Sequence, residues 1–207
     1  MNAFVRNNVP LLGLLLLMVL VSLLNAAFFS VDNLLNILRQ TSINAIIAMG
    51  MTFVILTAGI DLSVGSILAF AGAICASMIG LDVPIFWALM VTIVIGAALG
   101  ASSGVIIAYF NVQAFIATLV AMTMIRGVVL VYTDGRPIST GNFDVANTFY
   151  EIGGGYIWGI PIPVVIAGIV FGVCWWILNR TVLGRYTYAI GGGEKVAELA
   201  GVNVKHV

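Results

Sequence analysis

The sequence predicts an all-α integral membrane protein, a polytopic bundle of about six membrane-crossing helices. Three observations carry this reading. Hydrophobic residues make up 62% of the chain and charged residues 8%, whereas a water-soluble domain carries about a quarter charged residues. The few charges are clustered, leaving uncharged stretches of the length a helix needs to cross about 30 Å of hydrocarbon. Charges and polar breaks fall between those stretches, with one exception at Arg126.

The first stretch, residues 10–29, follows Arg6 and is too long for the apolar core of a cleaved signal peptide, so it reads as a retained anchor. Residues 31–40 place Leu34, Leu35 and Leu38 at helical spacing beside Asp32 and Arg39, the pattern of an interfacial amphipathic helix. Residues 41–60 and 62–81 form the second and third spans, a tight pair separated by Asp61, with Gly59 and Gly65 flanking the break. Residues 83–110 and 114–133 are the fourth and fifth, divided by Asn111, Val112 and Gln113. A polar loop covers 134–155, a sixth span 156–178 and a polar segment 179–207. Trp87, Trp158, Trp175 and Trp176 fall near span ends, where indole rings favour the interface.

Orientation follows from the cations, because Lys and Arg beside short loops stay in the cytoplasm. An even number of crossings puts both termini on one side. That side holds Arg6, Arg180, Arg185, Lys195 and Lys205, against Arg39 and Arg136 on the other. The N-terminus and residues 179–207 are therefore expected inside, and the loop at 134–155 outside, as in a bacterial inner membrane.

The charge balance and the missing motifs exclude other classes. Eight Lys plus Arg offset eight Asp plus Glu, so no net field recruits nucleic acid. Cys75 and Cys174 sit in apolar runs as small hydrophobes. With the single His206 they do not supply the ligand spacing of a metal site or a dithiol centre. No HExxH, phosphate loop or Ser/Cys nucleophile with a His partner occurs, so neither an enzyme nor a cofactor is expected.

Three places can carry function. Asp61, in TAGIDLSVGS, is a carboxylate between two apolar stretches. Either Asp61 or Ser63 caps the third span, or the pair belongs to a translocation path. Arg126 lies about 10 Å below the outer end of the fifth span and either snorkels to the interface or lines that path. Residues 179–207 contain a turn at Gly191, Gly192 and Gly193. A short helix follows, with Val196, Leu199 and Ala200 on one face, Glu194, Lys195 and Glu198 around it, and Gly201 as its stop. This is either an ordinary loop helix or a docking knob. Small residues at intervals of four, Gly65, Ala69 and Ala73 in the third span and Gly96, Gly100 and Gly104 in the fourth, predict close helix packing.

Three blocks in order, QTSINAIIAMGMTFVILTAGIDLSVGSILAFAGA, VQAFIATLVAMTMIRGVVLVYT and LGRYTYAIGGGEKVAELAGVNV, resemble the permease subunits of bacterial ribose-type ATP-binding-cassette importers. The resemblance covers nearly the whole chain. It implies the pore subunit of an ATP-driven sugar importer, with ribose as the sugar. Such a subunit pairs with a second permease copy, receives sugar from a periplasmic binding protein and is driven by a cytoplasmic ATPase that performs all the hydrolysis. The resemblance places the ATPase-coupling element on Gly184, Arg185, Gly191, Gly192, Gly193, Glu194, Lys195, Glu198, Leu199 and Gly201. Relatives usually carry Asn where Gly193 stands, and Gly caps a helix only slightly less well. Family members continue for about four more spans, so these residues are expected to be the N-terminal part of a ten-helix, type II importer-like permease. The alternative is a membrane scaffold that binds the ATPase and moves nothing.

Overall fold

Helix ends in this protein are set mainly by residues that enter the left-handed region and turn the chain back. The computed structural model describes residues 8–141 and 143–206; Arg6 and Val207 lie outside them. Helices α1 (Val9–Leu24), α2 (Val31–Leu56), α3 (Val64–Gly80), α4 (Ile85–Phe110) and α5 (Ala114–Thr133) are followed by a shorter α6 (Asp144–Gly154). A two-stranded hairpin, β1 (Tyr156–Ile157) and β2 (Ile160–Pro161), leads into α7 (Ile162–Arg180), α8 (Val182–Gly192) and α9 (Glu194–Leu199). Short 3-10 turns occur at Ala26–Phe29 and Val204–His206.

At the ends of α2, α3, α4 and α5 the left-handed residue is not a glycine. α2 ends with Ala58 at φ +59, where Ala58 N–H reaches Ile55 O and Gly59 N–H reaches Val54 O, each at 2.9 Å. This is the paired closure that satisfies orphan carbonyls at a helix C-terminus. Asp82 (φ +58) and Asp134 (φ +53) end α3 and α5 in the same manner, and Asn111 (φ +52) ends α4. Asp and Asn tolerate this conformation better than other side chains, while Ala58 costs about 1 kcal/mol or more. At their starts α4 follows Pro84, and α7 follows Pro161 and carries Pro163 in its first turn, where a missing N–H costs nothing.

Several expected boundaries move. The interfacial helix at 31–40 and the span at 41–60 are one 26-residue helix, α2. Ser30 caps its start by accepting Asn33 N–H, Asp32 lies in its first turn, and neither Gly nor Pro interrupts it before Gly50. Residues 156–161 form the hairpin, so the last apolar helix begins at Ile162, and residues 144–154 of the expected loop are helical. Of six apolar helices, α2, α4, α5 and α7 are long enough to cross a membrane. α1 and α3, at 16 and 17 residues, are shorter. The chain is an all-α polytopic membrane protein.

Packing divides the helices into two groups. α3 lies against α4 and α5, and α2 lies along α7. The groups are joined at both ends. At the far end α6 touches α3, α4 and α7, around buried Cys75, Ile79, Ala88 and Ala146. At the near end α8 touches α2 and α7, and the 204–206 turn touches α4. Much of the outer surface is apolar, with Leu16 63%, Leu24 88% and Val131 84% exposed. Lipid accommodates such a surface and water does not.

Ile79 is fully buried in the far-end cluster. Ile79→Ala is expected to lower unfolding stability in detergent by about 2–5 kcal/mol, the cost of an apolar cavity. Leu68→Ala, at an exposed position, is expected to leave the thermal midpoint nearly unchanged.

Candidate functional site

The turn between α2 and α3 is held by one carboxylate. Asp61 Oδ1 accepts the Ser63 N–H at 2.8 Å and the Ser63 hydroxyl at 2.6 Å. Ser63 is fully buried at the start of α3 and makes no side-chain cap of its own. Asp61 thus satisfies two polar groups that have no water to turn to. From the other helix group, Thr118 Oγ1 lies 3.2 Å from Ile60 O and 2.7 Å from its own helix carbonyl, Ala114 O. Thr118 is 2% exposed. Its contact ties the start of α5 to the Asp61 turn, a link that no spacing in the sequence signals.

Arg126 projects from the exposed side of α5 and has no hydrogen bond or ion pair among the described residues. Arg39 is the cation that the chain folds around instead. Its Nη2 donates to Gly154 O at 2.9 Å, its guanidinium lies 5.0 Å from the Tyr156 ring centre, and its Nη1 is 3.4 Å from Asn36 Oδ1. It clamps α2 to the far-end hairpin, which is why the polar first turns of α2 continue into the same helix.

At the near end α7 reverses into α8 through Thr181, whose hydroxyl donates to Ile177 O at 2.6 Å and accepts Gly184 N–H at 3.3 Å. Gly184 is buried against this reversal, and a Cβ there would collide with the carbonyls of Leu178 and Ile177. Gly191 presses on the last carbonyl of α2, Leu56 O, and a Cβ would overlap it. Both glycines permit backbone to lie on backbone. Arg185 is exposed.

α9 starts after Gly193 and stops at Gly201 (φ +87), where Gly201 N–H bonds Glu198 O and Val202 N–H bonds Ala197 O at 3.0 Å. Its inward residue is Ala197, packed with Ile190, Val202 and Val204. The expected apolar face of Val196, Leu199 and Ala200 points outward instead, with Val196 71% and Leu199 90% exposed. Glu194, Lys195 and Glu198 are exposed beside it, and Gly192 is open on α8. Lys205 and His206 lie against the Tyr109 ring on α4, at 5.8 and 6.5 Å.

The small-residue stripes are met by a neighbouring helix only in part. A Cβ at Gly96 would touch Ile67 of α3 at 4.0 Å, whereas Gly65, Gly100 and Gly104 have nothing within 4 Å. Spacing shows which residues share a face, not whether a helix lies opposite it.

Residues 33–207 match the protein-family model described as branched-chain amino acid transport system / permease component. The chain belongs to this permease family. As a member it is similar to the ribose import permease protein of Haemophilus influenzae, at 59% identity over 95% of this chain and 61% of the relative. The ribose import permease protein of Escherichia coli K12 is 51% identical over 100% of this chain and 64% of its own length. That of Bacillus subtilis is 48% identical over 96% and 61%. The chain thus spans a little under two thirds of the length of these relatives. No solved structure matches it significantly. Family and apolar helices together make it a multi-pass protein of the bacterial inner membrane.

Asp61→Ala would leave the buried Ser63 N–H and hydroxyl without their acceptor, at a cost of about 1–3 kcal/mol in unfolding stability. Asp61→Asn keeps a side-chain oxygen and is expected to retain most of it. Thermal unfolding of the two variants in detergent compares them.

Proposed function

We propose that this chain forms part of the transmembrane pore of an ATP-driven sugar importer, with ribose as its substrate. The observation that carries the reading is the 59% and 51% identity to proteins named as ribose import permeases, spread over essentially the whole chain. In this reading a periplasmic binding protein delivers the sugar, a second permease copy completes the pore, and a cytoplasmic ATPase drives it.

The near end of the bundle is the cytoplasmic end. Arg180, Arg185, Lys195 and Lys205 are all exposed there, in keeping with the cation bias of cytoplasmic loops. α9 is the ATPase contact. A partner that covered Val196 and Leu199 would remove two exposed apolar side chains from water, and Glu194, Lys195, Glu198 and Arg185 would form a polar rim. Gly191 serves the contact indirectly, because it lets α8 rest on the end of α2. Gly184 does the same for the reversal from α7. Gly192, Gly193 and Gly201 shape the ends of the two short helices. A push on α9 reaches the bundle through Leu56, the Asp61–Ser63 turn and Thr118, as a rigid-body displacement of packed elements. Asp61 and Ser63 act as the fixed corner of that relay, Asp61 Oδ1 holding Ser63 by its N–H and its hydroxyl. Arg126, exposed on α5, faces the sugar path or the second copy, where a cation costs less than in lipid.

Reconstitution of the chain with its ATPase and binding protein tests the reading. ATP-dependent ribose uptake is the expected result, and ATPase binding without uptake of any sugar supports the scaffold alternative. Leu199→Asp is expected to weaken ATPase binding by about 2 kcal/mol or more, the scale of a central apolar contact, while leaving the circular dichroism of the protein unchanged. Undiminished binding removes α9 from the interface.

A further inference from the structure

The α2 helix carries polar side chains that nothing in the fold explains. Gln40, Thr41 and Asn44 are exposed, and Gln40 and Asn44 stand one helical turn apart with Thr41 beside them on the same face. Among the described residues none of the three side chains makes a hydrogen bond. The half-buried side of α2, with buried Ser42 and half-buried Ile46, lies away from them.

Depth makes this arrangement informative. Counting about 20 residues back from Leu56 brings the hydrocarbon boundary near Ile37 and places Asn44 roughly 10 Å beneath it. An unpaired amide at that depth in lipid is strongly disfavoured, because hydrocarbon offers it no hydrogen-bond partner. α7, the helix packed on α2, shows the contrast, since residues 162–178 hold no hydroxyl, amide or charge. Within this pair α7 is suited to lipid and the Gln40–Asn44 face is not.

The chemistry of the face selects its occupant. Each amide offers a donor and an acceptor and Thr41 a hydroxyl, a set that matches sugar hydroxyls, which also donate and accept. No charge belongs to it. Arg39, the nearest cation, is turned to the far-end hairpin and bound to Gly154 O. An ionic solute would find no counter-charge here, and a neutral polyhydroxylated one needs none.

We propose that Gln40, Thr41 and Asn44 line the solute path in the outer half of the bundle and hydrogen-bond a neutral polyol during passage, an assignment that rests on the importer reading above. The test uses the chain assembled with its ATPase and binding protein in proteoliposomes, in a Cys75→Ser, Cys174→Ser background. Asn44→Cys is expected to react with a charged, membrane-impermeant thiosulfonate, and ribose is expected to slow the reaction several-fold. Ile46→Cys, on the half-buried side, is expected to stay unreactive. An Asn44→Cys thiol that reacts equally fast with and without ribose, or that only forms a disulfide with a second copy, overturns the assignment. In uptake assays Asn44→Leu is expected to raise the ribose KM about tenfold with little change in maximal rate, the size of one lost hydrogen bond, and Asn44→Gln to recover most of it. An Asn44→Leu protein with unchanged KM overturns the assignment as well. Failure of the unmodified assembly to import ribose overturns the importer reading itself, whereas import without protection at position 44 overturns the stripe alone.

Discussion

Hydrocarbon offers no hydrogen-bond partner, and the rest of the structure depends on that constraint. Every backbone group inside the bilayer must be paired by its own helix, so each chain reversal must close its helix completely before the next begins. α2, α3 and α5 do so with the same pair of crossed hydrogen bonds, built on Ala58, Asp82 and Asp134 in the left-handed region. The side chains follow the same logic. Asp61 is occupied by Ser63, and Arg39 by a carbonyl and an aromatic face. Asn44 and Arg126 stand out against this pattern, being exposed and without a side-chain hydrogen bond among the described residues.

The second organising feature is the division into α3–α4–α5 and α2–α7, fastened to each other at the two ends. Among the described residues the main links between the groups lie at the ends, which leaves much of their long faces open. These links also make the near end mechanically continuous. α9 packs on α8, α8 rests through Gly191 on Leu56, and the turn beyond Leu56 is bonded to Thr118 on α5. The α9–α8 contact is a small apolar cluster, and the other two are backbone against backbone and a buried hydroxyl on a carbonyl.

Much of this was legible before any coordinates. Uncharged length announced the apolar helices, because crossing a membrane is a one-dimensional requirement that composition alone reveals. The break at Asp61, the division at 111–113 and the stop at Gly201 were visible as residues that end helices. Less was legible at helix starts. The polar turns at 31–40 look like a separate surface helix, yet Arg39 finds Gly154 and Tyr156 and lets α2 run straight through. The hairpin at 156–161 is apolar enough to pass for helix, and its turn at Trp158 and Gly159, both at positive φ, shortens α7.

The local pattern of this chain determined by itself that the protein is helical, membrane-embedded and polar at the α8–α9 end, since those properties depend on neighbours along the chain. The five glycines of residues 179–207 could not be ranked from spacing. Only the tertiary structure decided that Gly184 and Gly191 lie under carbonyls while Gly192 is open, that Val196 and Leu199 face outward while Ala197 faces in, and that Thr118 reaches Ile60. Each of these is a contact between segments far apart in sequence, and a linear pattern states which faces exist without stating what they meet.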